Sequence, residues 1–485
     1  MFRLNVLATI CLFCFANLAT AQPASDIASL REQAVASMKR AATYFKTRVA
    51  THGGYVYHYD LALDRRWGEG EATRDQIWVQ PPGTPAVGLA YLAAFDATGD
   101  AFYLSCVQEV GEALVYGQLK SGGWTNSIDF NPQSKAVADY RRGKGGGKNN
   151  SSLDDGQSQT AIQFLVRADA ALNFKHAEIH DAAQTSLDAL LAAQFPCGGF
   201  PQVWTGPVAP RPPKAANYPS YDWRTEGRIK EYWTLYTLND NLAVYVTEAL
   251  LAADNAYRGS PYEDPRYLEA VERLGDFLIL SQMPQPQPAW AQQYNYDMQP
   301  VWARRFEPAA ICGHESQAVV GLLMKIYSVT GEDKYLQPIP TALAYLKRST
   351  LADGSLARYY ELKSNRPLYM QRNGDQYSLT YDDTQLPDHY SWKTRSNVDA
   401  LQKAFLSVKQ RFGKPDPVPS PAQLTTQVRS IIDSLDAEGR WISTADSTRL
   451  VGQAKFAPGE KYLASQVFND NLETLARFIR VSQGK

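Results

Sequence analysis

An internal repeat of about 75 residues constrains this chain more than any other feature of it. Helical-looking segments begin near Pro85, Gly156, Asn239, His314, Asn397 and Asn469, at spacings of 71, 83, 75, 83 and 72 residues. They open on residues suited to a helix N-terminus and carry apolar residues at i, i+3, i+4 and i+7, the period of a half-buried helix. A second marker, Gly or Pro followed by an aromatic or Leu, falls between them: Gly54-Tyr55, Gly123-Trp124, Gly199-Phe200, Pro288-Ala-Trp290, Gly354-Ser-Leu356 and Gly439-Arg-Trp441. Each marker ends a second helical segment, such as residues 182–194 or 265–282, reached through short turns like Thr98-Gly-Asp100 and Thr330-Gly-Glu332. One unit is therefore helix, turn, helix, loop. Helices that cannot bury both faces alone must stack on their neighbours. Six such pairs closing on themselves give an all-α toroid, with inner helices lining a core and irregular loops on one rim; an open solenoid is the other way to stack them. The Asn-Asp-Asn that opens both the third and the last unit supports true repetition, and at 469–471 it reads as a helix cap.

The rest of the composition sets the compartment and excludes some partners. Met1-Phe2-Arg3, an apolar run from Leu4 to Leu18 and Ala19-Thr20-Ala21 read as a signal peptide over residues 1–21, too short to span a bilayer comfortably. The expectation is a soluble, monomeric protein, secreted or periplasmic, with one toroidal domain over residues 22–485. The formal charge of −1 becomes −2 when Arg3 leaves, which excludes a general nucleic-acid binder and leaves local cationic grooves as the only grip on a polyanion. Cys106, Cys197 and Cys312 remain without metal-ligand spacing and read as buried thiols. Two segments interrupt the repeat: a basic loop at 141–150, read as solvated surface, and a proline-rich connector at 414–421.

Chemistry concentrates in two places. The stretch 288–307 opens on Pro, carries five aromatics and ends on Arg304 and Arg305 between Trp302 and Phe306. It has neither helical nor strand period, so it reads as an ordered loop. Guanidinium groups beside aromatic faces suit sugar rings that carry carboxylates, since arginine grips a carboxylate through two parallel hydrogen bonds. An arginine–aromatic packing motif with a salt bridge to Glu307 is the plainer account. The second place is the starts of the inner helices, Asp154-Asp155-Gly156 and Asn239-Asp240-Asn241. These residues cap helices, but helix starts one repeat apart converge at a toroid's rim, where hard carboxylate oxygens suit Ca²⁺. Gly-x-Ser-x-Gly, His-Glu-x-x-His and a P-loop are all absent.

Five ordered motifs between Asp154 and Tyr390 resemble the pectate lyases of polysaccharide lyase family ten. They are LDDGQSQTAIQFL at 153–165, GGFPQ at 198–202, LNDN at 238–241, Ala291-Gln292 followed by ARRFE at 303–307, and ARYYELKSNRP at 357–367. The resemblance implies calcium-assisted anti-β-elimination on homogalacturonan, an acidic plant cell-wall polysaccharide, with a 4,5-unsaturated product. It puts Arg304 where the family's proposed base sits, and Asp154 and Asp240 where its calcium-site aspartates sit. Asn239, Trp290, Gln292, Arg305, Arg358, Lys363 and Arg366 become candidate substrate contacts. Arginine is awkward as a base because its pKa exceeds about 12, so Arg304 as a carboxylate clamp, with a tyrosine taking the proton, stays open. Asp155 and Gln157 depart from the family pattern, and the segment 385–392 (QLPDHYSW) lacks the family's arginines. The charged, aromatic stretch 64–84 matches no motif and reads either as a further rim loop of the groove or as a structural loop. Two other functions compete: a toroid glycosidase acting on uronides through a carboxylate pair, and a non-catalytic binder of acidic glycans.

Overall fold

A computed structural model describes residues 24–142, 145–225, 230–414 and 417–484. The signal-peptide segment 1–21 lies outside these residues, as do Gly143 and Lys144 of the basic loop and residues 415–416 of the connector. Twelve α-helices carry the described fold: α1 (Ala24–Tyr44), α2 (Thr84–Thr98), α3 (Ala101–Gly117), α4 (Gln157–Ala171), α5 (Ala177–Ala192), α6 (Leu242–Tyr257), α7 (Arg266–Leu280), α8 (Gly313–Thr330), α9 (Ile339–Arg348), α10 (Val398–Arg411), α11 (Pro421–Asp433) and α12 (Ser465–Ser482). The even-numbered helices form the inner ring: α2 packs on α4, α4 on α6, α6 on α8 and α8 on α10, while α12 packs on α2 from the other end. Helices α3, α5, α7 and α9 lie against the inner helices before them, and α1, first in the chain, backs α12 beside α11. The protein is an α/α toroid, as the repeat predicts.

Local chemistry explains the hairpins. α2 and α8 end on glycines with φ of 68° and 75° at Gly99 and Gly331, a left-handed turn that other residues adopt at a cost. Asp100 then starts α3, its carboxylate accepting from the Phe102 N–H at 2.9 Å. Inner helices are lined with small and apolar residues because both their faces are covered. Helix α10 is the exception, with only Val398 and Val408 buried and Leu406 69 % exposed.

The aromatic markers prove to be core anchors repeated around the ring. Trp124, Trp290 and Trp441 donate their indole N–H to the carbonyls of Leu114, Leu278 and Ile431, near the end of the preceding outer helix, at 2.9, 2.8 and 2.9 Å. Tyr55, Phe200 and Leu356 are buried at the corresponding places. Inner-helix hydroxyls tie the same loops down: Thr84, Ser158 and Ser316 bond the backbone of Tyr55, Trp124 and Trp290. The three cysteines are buried free thiols.

One helix start differs from expectation. Asn469-Asp470-Asn471 lies one turn inside α12, because the strand Lys461–Ala464 runs straight into Ser465, whose hydroxyl donates to the Val56 carbonyl at 2.6 Å. Asn469 is no cap; it is buried and donates to the Pro82 carbonyl at 3.2 Å. The basic loop is also more engaged than a solvated one, since Arg141 and Arg142 both pair with Asp181 on α5.

Candidate active site

The repeat places the site. In four units the residue two beyond the buried marker receives the backbone N–H that leads into an inner helix. Val79, Leu153, Leu238 and Gly313 donate in this way to the carbonyls of Asn126, Gln202, Gln292 and Arg358, at 2.8 to 2.9 Å. The rim loops are thereby pinned beside the inner-helix starts, and the side chains of Gln202, Gln292 and Arg358 join them.

Two of those starts share one unusual backbone. Asp155 and Gly156 have φ of 45° and 74°, and Asp240 and Asn241 have φ of 50° and 58°. This left-handed pair projects a short turn ahead of α4 and of α6, and Gly and Asn are among the residues that tolerate it best. The turns touch, and Asp154, Asp155 and Asp240 each bring a carboxylate oxygen within 4.8 Å of the others. Asp154 accepts from Gln202 Nε2 at 2.6 Å, and Asp155 from Gln80 Nε2 at 3.1 Å. Asn239 donates to Asp240. Desolvation and mutual repulsion disfavour this much negative charge. The Asp155 carboxyl is pushed up to about 6 by desolvation, then by Asp154 and Glu69, with Arg304 and Arg358 opposing. Asp240 is raised well above its ordinary value by desolvation, then by Asp155, Asp154 and Glu315. Asp154 is raised by desolvation despite its bond from Gln202.

Two guanidinium groups face these carboxylates. Arg358, on the strand-like loop before Tyr359, has a nitrogen 3.5 Å from Asn239 Oδ1, 3.5 Å from Glu315 Oε1 and 3.8 Å from Asp240 Oδ1. Its guanidinium stands 4.4 Å from the centre of the Tyr390 ring. Glu315 is 1 % exposed, and its second oxygen has no partner among the described residues. Arg304 is held by its own loop. Its Nε and Nη2 donate to the two oxygens of Glu307 at 2.8 and 2.5 Å, and its backbone N–H donates to the same carboxylate at 3.0 Å. Tyr390 completes the set, donating to Glu307 at 2.9 Å and lying 3.1 Å from the Tyr359 hydroxyl, which itself donates to Gln292 at 2.8 Å. Burial works against a charged Glu307, but Arg304 and Tyr390 outweigh it and hold the carboxyl low. Arg304 is likewise kept firmly cationic: desolvation would lower its pKa, and Glu307 more than reverses that.

The site thus gathers Arg304, Asp154, Asp240, Asn239, Gln292 and Arg358 from the sequence-based candidates. Trp290 is corrected. It is 0 % exposed and bonded to Leu278, so neither ring face is free to stack on a sugar. Arg305 points away from Arg304, across Phe306, to the Asp375 carbonyl at 3.2 Å, and lines a separate cavity of about 500 Å³ with Trp302, Arg224 and Tyr377. Lys363 and Arg366 belong to another cluster, around buried Glu361, where Arg366 stands 3.4 Å from the Tyr381 ring centre and Lys363 5.7 Å from that of Tyr218. The salt bridge to Glu307 exists, and Arg304 is the arginine that makes it.

Sequence reasoning missed Asp155, Tyr390 and Glu315 as members. The signal for Asp155 was present: it holds the same place in its repeat as Asp240 in the next. From the stretch 64–84, Gln80 bonds Asp155, and Glu69 helps wall the adjoining cavity.

Chemically, the arrangement sets five carboxylates (Asp154, Asp155, Asp240, Glu307, Glu315) against two guanidiniums. Arg304 serves Glu307, and Arg358 serves Glu315 and Asp240; Asp154 and Asp155 have no ion-pair partner among the described residues. A hard dication fits this deficit, because carboxylate oxygens from two adjoining turns are the donors it prefers. The guanidiniums in turn suit an anionic sugar.

Residues 118–357 match the pectic acid lyase family. Among solved structures the chain is similar to family 10 polysaccharide lyase from Cellvibrio cellulosa, at 22 % identity over 67 % of this chain and 97 % of that one, with a TM-score of 0.46. A mutant of the family 10 enzyme from that organism, in complex with trigalacturonic acid, matches at 20 % identity, 67 % and 98 % coverage and a TM-score of 0.46. Cellobiose 2-epimerase from Spirochaeta thermophila matches at 15 % identity over 95 % of this chain and 98 % of that one, with a TM-score of 0.47. No curated protein matches the chain. With the site's arginines and carboxylates lying within or beside the matched segment, the chain belongs to the pectic acid lyase family and is a polysaccharide lyase.

Proposed function

We propose that this lyase cleaves homogalacturonan by calcium-assisted anti-β-elimination, with Arg304 as the catalytic residue. The observation that carries this is the facing of Arg304 and Arg358 against the Asp154–Asp155–Asp240 cluster, within or directly beside the segment that matches pectic acid lyase. The proton on C5 of a galacturonate is barely acidic while the neighbouring carboxylate keeps its full charge. When bound to Asp154, Asp155 and Asp240, Ca²⁺ would neutralise that carboxylate, acidify C5–H and favour the neutral form of Arg304. Arg358 adds a second positive charge, itself oriented by Glu315 and Asn239.

Arg304 takes the C5 proton. Its Nε and Nη2 are held by Glu307, which fixes the plane of the guanidinium and leaves Nη1 outside that fork. The C5–H electron pair becomes the C4=C5 double bond, the C4–O bond breaks, and the departing glycosidic oxygen gains a proton to become the new reducing end. Neutralising an ordinary guanidinium at about pH 8 costs about 6 kcal/mol, and Glu307, which holds Arg304 cationic, adds to that cost, so the reading requires the bound cation to offset the Glu307 contribution. The ordinary cost alone lies within the barrier of about 16 kcal/mol that corresponds to about ten turnovers per second. Tyr390 is a poorer base, because burial and then Tyr359 and Glu307 hold its hydroxyl protonated.

The reading includes a monomeric protein exported under the leader at 1–21. No helix of the described residues is long and apolar enough to cross a membrane. The test is incubation with polygalacturonate and calcium. Ultraviolet absorbance from the unsaturated end should rise, and Arg304→Lys should lower kcat by about 10²–10⁴-fold with KM nearly kept. Reducing ends without absorbance would indicate a glycosidase; a loss confined to KM would make Arg304 a clamp.

A further inference from the structure

Arg304 is held by an arrangement that the structure repeats elsewhere. Its Nε and Nη2 donate to buried Glu307, which also accepts from Tyr390. Arg224 likewise donates from Nε and Nη2 to Glu361 Oε1, at 3.1 and 2.8 Å, and the same oxygen accepts from the Tyr381 hydroxyl at 2.6 Å. The two sets match in burial as well. Both glutamates are buried, while the side chains of Arg304 and Arg224 stay 42 % and 49 % exposed. Burial would raise both carboxyls, but these bonds, with one from Ser364 to Glu361, hold both low. In each set a buried carboxylate fixes the plane of a guanidinium and leaves its Nη1 outside the fork.

Arg304 faces the acidic turns, whereas Arg224 opens on the cavity of about 500 Å³ beyond Phe306. Arg224 reaches that cavity at the end of an arm, 207–224, which lies outside the five motifs. The arm is pinned by Lys214 to Asp297 at 2.5 Å and by the Ala216 N–H to the Leu280 carbonyl at 2.7 Å. Arg305 lines the same cavity beside buried Trp302, whose indole N–H donates to the Trp223 carbonyl at 2.5 Å. Arg305 has no carboxylate partner among the described residues; it donates to the Asp375 carbonyl at 3.2 Å. The Asp375 carboxylate, on the same rim, has a cation of its own in Arg372, 3.9 Å away. The cavity thus holds one guanidinium oriented by a buried carboxylate and one whose charge is unanswered. Phe306 joins the two places, its ring centre 5.0 Å from the Arg304 guanidinium and 5.4 Å from the Tyr377 ring centre.

We propose that Arg224 and Arg305 form a second carboxylate site, which holds a uronate of the same polysaccharide beyond the units bound at Arg304, so that this lyase favours long unesterified chains over short ones. This rests on the elimination reading given above. An oriented guanidinium suits a carboxylate because its parallel N–H donors match the two oxygens, and a methyl ester lacks the charge that strengthens those bonds. Trp302 and Tyr377 add ring surface to the same cavity.

The test compares kcat/KM on polygalacturonate and on trigalacturonate, by ultraviolet absorbance with calcium, for the full chain and its variants. Arg305→Ala should lower the value for the polymer about 10-fold more than that for the trimer, through KM, with Arg305→Lys recovering part of the difference. Equal losses on both substrates, or none on either, would overturn the second site. Arg224→Ala strips buried Glu361 of its cation and loosens the arm, so Arg224→Lys is the sharper change there. It should shift the same ratio in the same direction with Tm kept. A lowered Tm with an unchanged ratio would make the Arg224 set a structural tie only. Binding is also read without catalysis: in chelator, polygalacturonate should retard the full chain in a native gel, and Arg305→Ala should raise the apparent Kd about 10-fold. Equal retardation of the two proteins would overturn the site. Absence of absorbance on every uronan, with the gel result intact, would remove the elimination reading and leave the carboxylate site standing, so the two failures are distinct.

Discussion

The turns at 153–157 and 238–242 stand one repeat apart and share a backbone, yet they are charged differently. Leu-Asp-Asp-Gly-Gln carries two carboxylates and has only amide partners, Gln202 and Gln80. Leu-Asn-Asp-Asn-Leu carries one, with Arg358 3.8 Å away. Both fold alike because each places Gly or Asn, tolerant of φ > 0, fourth in the turn and an inner helix directly after it. The difference teaches that geometry and charge are set separately here. Repetition makes Asp155 and Asp240 face each other, and the extra Asp154 leaves the first turn short of positive charge. On this account, a cation is demanded mainly by the first turn and positioned by both.

The strongest way to break the comparison is to remove the carboxylate that the two turns share. Asp240→Ala should raise the calcium needed for half-maximal activity by more than about 100-fold, since losing even an outer partner of a metal site costs about 10- to 100-fold. Asp155→Ala should do the same. A large effect at Asp240 with none at Asp155 would show that the turns are alike in shape only. Gln202→Leu, which strips Asp154 of its donor, should cost about 10-fold in calcium affinity by titration calorimetry. The same change in the second repeat, Gln292→Leu, should leave calcium affinity nearly unchanged, because Gln292 bonds Tyr359 instead.

Acidity offers a gentler probe. An ordinary aspartate titrates near about 3.9, and Asp155 is pushed up to about 6. The metal-free fold therefore binds this proton more tightly than the unfolded chain does. Its stability contribution is unfavourable above about pH 6 and is relieved as pH falls through 6 toward 4. The rise in Tm on adding Ca²⁺ should accordingly be large at pH 8 and shrink below pH 6, and a calcium effect independent of pH would contradict the crowding of charge in the first turn. The smallest expected effect concerns backbone. Gly156→Ala should cost about 1–2 kcal/mol in denaturant unfolding, from the left-handed conformation and the close approach to Thr160 and Tyr245. Asn241→Gly, at the matching place, should shift stability by under about 0.5 kcal/mol.

The toroid was legible in the sequence because its period was written twice, in inner-helix starts and in buried markers. The markers misled in one respect. An aromatic after Gly or Pro beside two arginines suggested a sugar platform at Trp290, whereas the same position in other repeats, Trp124 and Trp441, shows an indole bonded into the core. Comparing the repeats with one another would have separated these roles. Asp155 was missed for a related reason, since it was weighed against a family pattern and not against Asp240. Tyr390, and its bond to Glu307, were hidden more deeply. Their partnership joins residues 83 apart through a folded loop, and no local period records such a contact. Glu69 and Arg449, which wall the cavity beside the acidic turns, are likewise non-local, brought together by strand pairing between the two ends of the chain.

The account's central claim is that the carboxylates of the two repeat-related turns together hold one divalent cation for the elimination. Calorimetric titration of the substrate-free protein with Ca²⁺ at pH 8, alongside the Asp155→Asn/Asp240→Asn double variant, tests it most directly. The account predicts one calcium site in the wild type and none in the variant, with helical signal and Tm in chelator preserved in both. Equal calcium binding by the two proteins, or full lyase activity of the variant in chelator, would contradict it.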